Sequence, residues 1–169
     1  MPSLKWSTSH AVFVPEIDDE HKEIFEAVVD LQRALTSGGT PKETVKLTQH
    51  LVASIAGHFA HEERLMRAAR YSSLRWHMQL HDAARKRVGH FVPRIEQGDT
   101  KAGIALVAYL TSWLTEHTRL ADRMMAAALR NHQRGMCRLT IRVSTRSIDS
   151  CVWFDANGER FDPNRLARG

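Results

Sequence analysis

His58-Phe59-Ala60-His61-Glu62, followed by His77-Met78-Gln79-Leu80-His81, is the stretch that decides how this 169-residue chain is read. In each segment two side chains able to bind a metal stand four positions apart. On an α-helix, residues four apart lie one above the other on the same face. The surrounding apolar residues keep that rhythm. Val45, Leu51, Ile55, His58, Glu62 and Leu65 form one stripe, and Leu74, His77, His81, Ala84, Val88, Phe91 and Ile95 form another. Imidazoles and a carboxylate therefore sit where a helix turns inward. Burying them unpaired is expensive, and bound cations are the simplest compensation.

The same pattern extends in both directions. Toward the N-terminus, Ile17, His21, Ile24, Phe25, Val28, Leu31 and Leu35 define a first helix. It is expected to begin near Asp18 or Asp19, both good N-cap types, and to stop at Ser37-Gly38-Gly39. Thr40-Pro41 opens the second helix and Ser72 or Ser73 the third, which Pro93 should kink or loosen near its end. A fourth helix is expected over Thr100–Asn131, with Ile104, Val107, Leu110, Trp113, Leu114, His117 and Met124 inward. Four long helices joined by short loops predict an all-α, up-down-up-down bundle over residues 17–133, preceded by an irregular arm, 1–16, anchored by Trp6 and Phe13.

His117 and Asp122 are five apart, about 140° around a straight helix. Asp122 must then reach in from the flank, or the helix must widen locally into a π-type turn. With it the candidate metal ligands are seven: His21, His58, Glu62, His77, His81, His117 and Asp122. Five imidazoles and two carboxylates without a thiolate suit iron. His10, His50, His90 and His132 fall off the stripes or outside the helices, and His61 and Glu63 are expected to point away from the face that carries His58.

After Gly135 the pattern changes. Leu139, Ile141 and Val143 alternate with polar residues as in a strand. Ser150–Phe154 is β-prone, Asp155-Ala156-Asn157-Gly158 is a turn signal, and Phe161 is placed to close a short hairpin. Residues 136–169 are thus expected to form a small β-prone extension.

Composition removes several function classes. The hydrophobic fraction is 43% and the formal charge +5, carried by scattered Lys and Arg. The densest basic cluster, Arg85-Lys86-Arg87, reads as a solvated helix face, and no nucleic-acid motif accompanies it. No apolar run is long enough to span a membrane, and Met1–His10 lacks the apolar core of a secretory signal. Cys137 and Cys151 lie outside the ligand segments and read as free, reduced thiols, so a cytoplasmic location is expected. Rival site motifs are missing. His61-Glu62 is not followed by the second His of a zinc-protease motif, no Glu has a His three positions on as in ferritin-type bundles, and no nucleophile signature is present.

The segments Ile17-Asp18-Asp19-Glu20-His21, His58-Phe-Ala-His-Glu62, His77-Met-Gln-Leu-His81 and Trp113-Leu-Thr-Glu-His117-Thr-Arg-Leu-Ala-Asp122 resemble the hemerythrins, and the bacterial single-domain hemerythrins in particular. The resemblance covers residues 6 to 130 and all seven ligand positions. It implies a non-haem centre of two iron ions, Fe2+/Fe3+, with an oxo or hydroxo bridge. His77, His81 and His117 would hold one iron, His21 and His58 the other, and Glu62 and Asp122 would bridge them. The iron with two His keeps an open position, where dioxygen is expected to bind and leave again. Ile24, Phe59, Trp113 and Leu114 are the expected wall of its pocket, since reversible binding needs water excluded; ordinary core packing would serve equally for these four.

Thr118 departs from the branched aliphatic residue usual after the fifth His. Its hydroxyl would either face the pocket or bond back to its own helix. Tyr71-Ser72 departs too, where relatives often carry Pro after Tyr, and the C-terminal extension has no counterpart in the family core. The resemblance implies a reversible oxygen carrier, store or sensor. The alternatives are a di-iron enzyme turning over peroxide or nitric oxide, and an interaction module with structural iron. Dioxygen is the expected partner, and residues 136–169 are the expected surface for self-association or a protein partner.

Overall fold

The computed structural model describes residues 4–143 and the two short strands at 153–154 and 160–161, with side chains described for residues 4–135. Helix α1 is Pro15–Thr36, α2 Pro41–Ala68, α3 Leu74–Glu96, and α4 Thr100–His117. A π-helical turn, Thr118–Asp122, joins α4 to α5, Arg123–Val143. The last three segments form one long fourth rod. Helix α1 packs on α2 and α4, and α3 packs on α2 and α4, which closes the expected four-helix bundle.

Local chemistry sets the ends. The Thr40 hydroxyl accepts from Glu43 N–H at 3.2 Å with Pro41 at the first helical position, and the Asp99 carboxylate accepts from Ala102 N–H at 3.1 Å. Helices α1 and α3 both stop at glycines in the left-handed region, Gly38 (φ 75°) and Gly98 (φ 86°). That conformation lets Gly39 N–H and Asp99 N–H reach back to the carbonyls of Ala34 and Arg94. Pro93 lies inside α3, which continues to Glu96 without breaking.

Helix α1 begins earlier than Asp18. Pro15 takes the first helical position, where its missing N–H removes no hydrogen bond. Asp18 instead fastens the arm: its carboxylate accepts from Val12 N–H at 2.8 Å and Phe13 N–H at 3.0 Å. Arg123 donates to Ser9 O, and Arg130 to Val12 O, so α5 grips the arm from the other side.

The main core joins Phe25, Val28 and Leu31 of α1, Leu51, Ile55 and Phe59 of α2, Val88 and Phe91 of α3, and Leu106, Leu110 and Leu114 of α4. Two stripe residues differ from expectation. Ile104 is 41% exposed and Met124 46% exposed. For Met124 the reason is the π turn. It inserts one extra residue per turn, so the inward positions beyond it advance to Met125, Ala126 and Leu129.

Over Leu139–Val143 the backbone is helical, not extended. Continuing α5 pairs each further N–H within the helix, whereas five alternating residues would need a partner strand to gain anything. Trp153–Phe154 and Arg160–Phe161 form the expected antiparallel pair, Trp153 opposite Phe161. The turn signal between them, and the rest of 144–169, lie outside the described residues.

Candidate metal centre

Each helix delivers its share of the centre at the same height. His21 comes from α1, His58 and Glu62 from successive turns of α2, His77 and His81 from successive turns of α3, and His117 from the end of α4. The π turn then adds the rotation that a straight helix lacks and brings Asp122 onto the same face as His117. All seven are buried.

The side chains fall into two overlapping groups. Glu62, His77, His81, His117 and Asp122 form one; His21, His58, Glu62 and Asp122 form the other. The two carboxylates belong to both. Asp122 divides its oxygens: Oδ2 lies 3.2 Å from His21 Nε2, while Oδ1 lies 3.2 Å from His77 Nε2 and 3.0 Å from His117 Nε2. Glu62 Oε2 stands 3.7 Å from His58 Nε2, 3.5 Å from His77 Nε2 and 3.2 Å from His81 Nε2.

These atoms are close without being hydrogen-bonded. Both ring nitrogens of His21 and His77 and all four oxygens of Glu62 and Asp122 are buried with no aligned partner, a costly arrangement unless something else satisfies them. His81 Nε2 and His117 Nε2 face each other at 3.3 Å. Two nitrogens each bound at about 2.0–2.1 Å to one metal ion, as at zinc, stand about this far apart. The residues present therefore fit a pair of adjacent cations sharing two carboxylates.

Protons occupy the cluster when no metal does. Burial and the neighbouring Asp122 push the Glu62 carboxyl up, yet His58, His77 and His81 more than offset them and hold it at about 2. Burial likewise raises Asp122, and His117, His21 and His77 outweigh it, leaving Asp122 well below the usual range. Burial lowers His77, but Asp122 and Glu62 raise it to about 9. His58 is also raised, burial being outweighed by Glu62, Glu20 and Asp122. Metal uptake must displace such protons.

Aromatic rings surround the three-His group. Phe59 stacks on His81 with centroids 3.9 Å apart, and Trp113 stacks on His117 at 4.1 Å. Ile24, Phe59 and Leu114 are buried in the core cluster, and Trp113 packs against it. The Thr118 hydroxyl donates to Leu114 O at 2.8 Å, so it bonds back to its own helix.

Residues outside the inward stripes turn out to belong to the centre. His58 Nδ1–H donates to Glu20 at 2.9 Å, and His61 Nδ1–H donates to the other oxygen of Glu20 at 2.6 Å. His81 Nδ1–H donates to Glu63 at 3.2 Å, and Arg85 donates to the same oxygen at 2.7 Å. Glu63 is thus off the His58 stripe, as expected, and buried. Arg85 is a partner of the centre as well as a surface cation. Each of these residues lies beside a ligand in sequence or one turn along, and only the packing of α1 on α2 and α2 on α3 reveals which ring it meets.

Comparison with known proteins agrees with this geometry. Residues 12–129 match the family described as the hemerythrin HHE cation binding domain. Myohemerythrin-1 of Phascolopsis gouldii is 30% identical over 117 residues, covering 69% of this chain and 87% of the relative. Bacteriohemerythrin of Pseudomonas aeruginosa is 30% identical over 131 residues, covering 78% of this chain and 84% of the relative. A solved structure of a leucine-to-phenylalanine mutant superposes with a TM-score of 0.69 at 23% identity, over 76% of this chain and 98% of its own, which shows the shared fold. With its bundle, its two carboxylate-linked ligand groups and a family match over most of its length, this chain belongs to the hemerythrin family.

Proposed function

We propose that this chain is a non-haem di-iron protein that binds dioxygen reversibly. His77, His81 and His117 hold one iron, His21 and His58 the other, and Glu62 and Asp122 are shared between them. The observation that carries this reading is the overlap of the two ligand groups at Glu62 and Asp122, with three imidazoles on one side and two on the other. With fewer protein ligands, the His21/His58 side would offer a bound iron's free position to an exogenous ligand. An iron pair cycling between ferrous and ferric supplies the electrons that dioxygen takes on binding and returns on release.

The protein's own part is to bind the pair, orient its ligands and keep water out. Ile24, Phe59, Trp113 and Leu114 exclude solvent, and a dry site protects a reactive centre from stray protons. Thr118 turns its hydroxyl to the Leu114 carbonyl and so withholds that donor from the pocket. No helix among the described residues is long and apolar enough to cross a membrane. The reduced-thiol reading of Cys137 and Cys151 supports a cytoplasmic setting, and self-association or partner binding is assigned to residues 136–169.

The test is iron per chain, with visible spectra of the reduced protein before air, after air and after argon. Two irons and a colour that appears in air and fades under argon are expected. Two irons with immediate irreversible oxidation would favour an enzyme acting on peroxide or nitric oxide. Absence of iron after reconstitution would refute the di-iron reading.

A further inference from the structure

Two imidazoles of the centre point their outer nitrogens at carboxylates, and the two carboxylates are held differently. Glu20, which takes the Nδ1–H of His58, is 31% exposed and, among the described residues, its other charged neighbour is His61. Glu63, which takes the Nδ1–H of His81, is buried and meets two arginines. Arg85 donates to its Oε1 at 2.7 Å, and Arg67 approaches its Oε2 at 3.5 Å. Arg85 also donates to Asp82 at 2.7 Å, which fixes the guanidinium at a second point.

Arg85 meets His81 from two directions. Through Glu63 Oε1 it acts in the plane of the imidazole, because that one oxygen accepts both from His81 and from Arg85. Through Phe59 it acts on the face of the imidazole: the guanidinium lies 5.1 Å from the Phe59 centroid, and Phe59 stacks on His81 with the rings 6° apart in plane. A guanidinium is planar and permanently charged, so it suits both contacts. A carboxylate oxygen already accepting a charge-assisted bond attracts a second donor less strongly. An imidazole whose N–H is attracted less donates less electron density to a metal on its other nitrogen.

We propose that Arg85 is a positioning residue of the metal centre, fixing the ring plane of His81 and moderating the pull of Glu63 on its Nδ1 proton. It keeps the three-His side less electron-rich than Glu63 alone would make it, and so harder to oxidise. This rests on the di-iron reading above.

The test uses the full chain as wild type, R85A, R85K, E63Q and the R85A/E63Q double variant. The iron-loaded proteins give the midpoint potential of the iron pair, and the metal-free proteins give the proton and nitrogen NMR shifts of the His81 Nδ1–H. R85A should lower the potential and move the His81 Nδ1–H resonance downfield. R85K keeps the charge without the fork and should recover part of each change. E63Q should raise the potential, and adding R85A to it should lower the potential less than R85A does in the wild type. Wild-type potential and resonance in R85A would overturn the proposal, even if its melting temperature fell. An equal effect of R85A in the E63Q background would also overturn it. A wild-type protein that takes up no iron pair would overturn the di-iron reading and this inference with it, whereas a loaded wild type beside a silent R85A overturns this inference alone.

Discussion

The two sides of the metal centre are built from the same residue types and held in different ways. On the α1/α2 side, His21 and His58 stand with a half-exposed carboxylate, Glu20, behind them. On the side of α3 and the fourth rod, His77, His81 and His117 stand under two stacked aromatic rings, with a buried Glu63 clamped by Arg85. The first brings two imidazoles to the shared carboxylates, and the second brings three beneath packed aromatic rings. Ligand identity alone does not produce that division. It comes from the neighbours each helix happens to meet.

The largest effect should come from abolishing the comparison altogether. Glu62 and Asp122 belong to both groups, so Glu62→Ala is expected to strip iron from both sides, measured as iron per chain after reconstitution. Retention of the full complement would show that the sides do not share Glu62. His21→Ala and His81→Ala probe one side each. Either should leave the iron of the other group, which keeps all its ligands. Competition with a chelator then compares Glu20→Ala with Glu63→Ala. Each is expected to weaken iron binding by about 10–100-fold, the first on the two-His side and the second on the three-His side. Equal loss from both sides in either variant would break the assignment.

Removing the metal gives a smaller effect with a definite sign. His77 is held near 9 against an ordinary 6.5, the two carboxylates outweighing burial. A raised pKa means that His77 contributes its full stability to the metal-free protein below 6.5, and that this is lost as pH rises through about 9. Glu62 runs the other way: depressed to about 2, its contribution is present above 4.5 and lost as pH falls through about 2. Thermal melts of metal-free protein from neutral to alkaline pH should show the His77 loss, and iron-loaded protein should not. The smallest effect is expected from Thr118→Val. Its hydroxyl donates to Leu114 O, which the Thr118 backbone N–H also reaches, so the variant should lose about 1 kcal/mol or less. The lifetime of the oxygenated form, followed by its visible colour, should change little; a large lengthening would show the hydroxyl acting in the pocket.

Much of this was legible in advance because the helical period is a strong constraint. His58/Glu62 and His77/His81 sit on the same stripes as Leu51, Ile55, Ala84 and Val88, so the residues that bury a helix also aim its ligands. The five-residue step from His117 to Asp122 pointed to a π turn as one of two solutions, and the backbone adopts it. Its further consequence, the shift from Met124 to Met125 as the buried residue, follows only once the turn is known. Asp18 looked like a cap by composition and instead holds the arm, because Pro15 needs no N–H partner. Glu63 points off the Glu62 stripe as its position one residue round implies, and there α3 brings His81 and Arg85 to cover it.

By itself the sequence determined the four-helix bundle, the seven candidate ligand positions and their grouping by helix. Those depend on periodicity and side-chain type, which are local properties. Only the tertiary structure decided how Asp122 divides its oxygens, which carboxylate backs which imidazole, and that Arg85 reaches His81 through both Glu63 and Phe59. These depend on the distance between residues on different helices, and helical period fixes a residue's direction without fixing what stands opposite it.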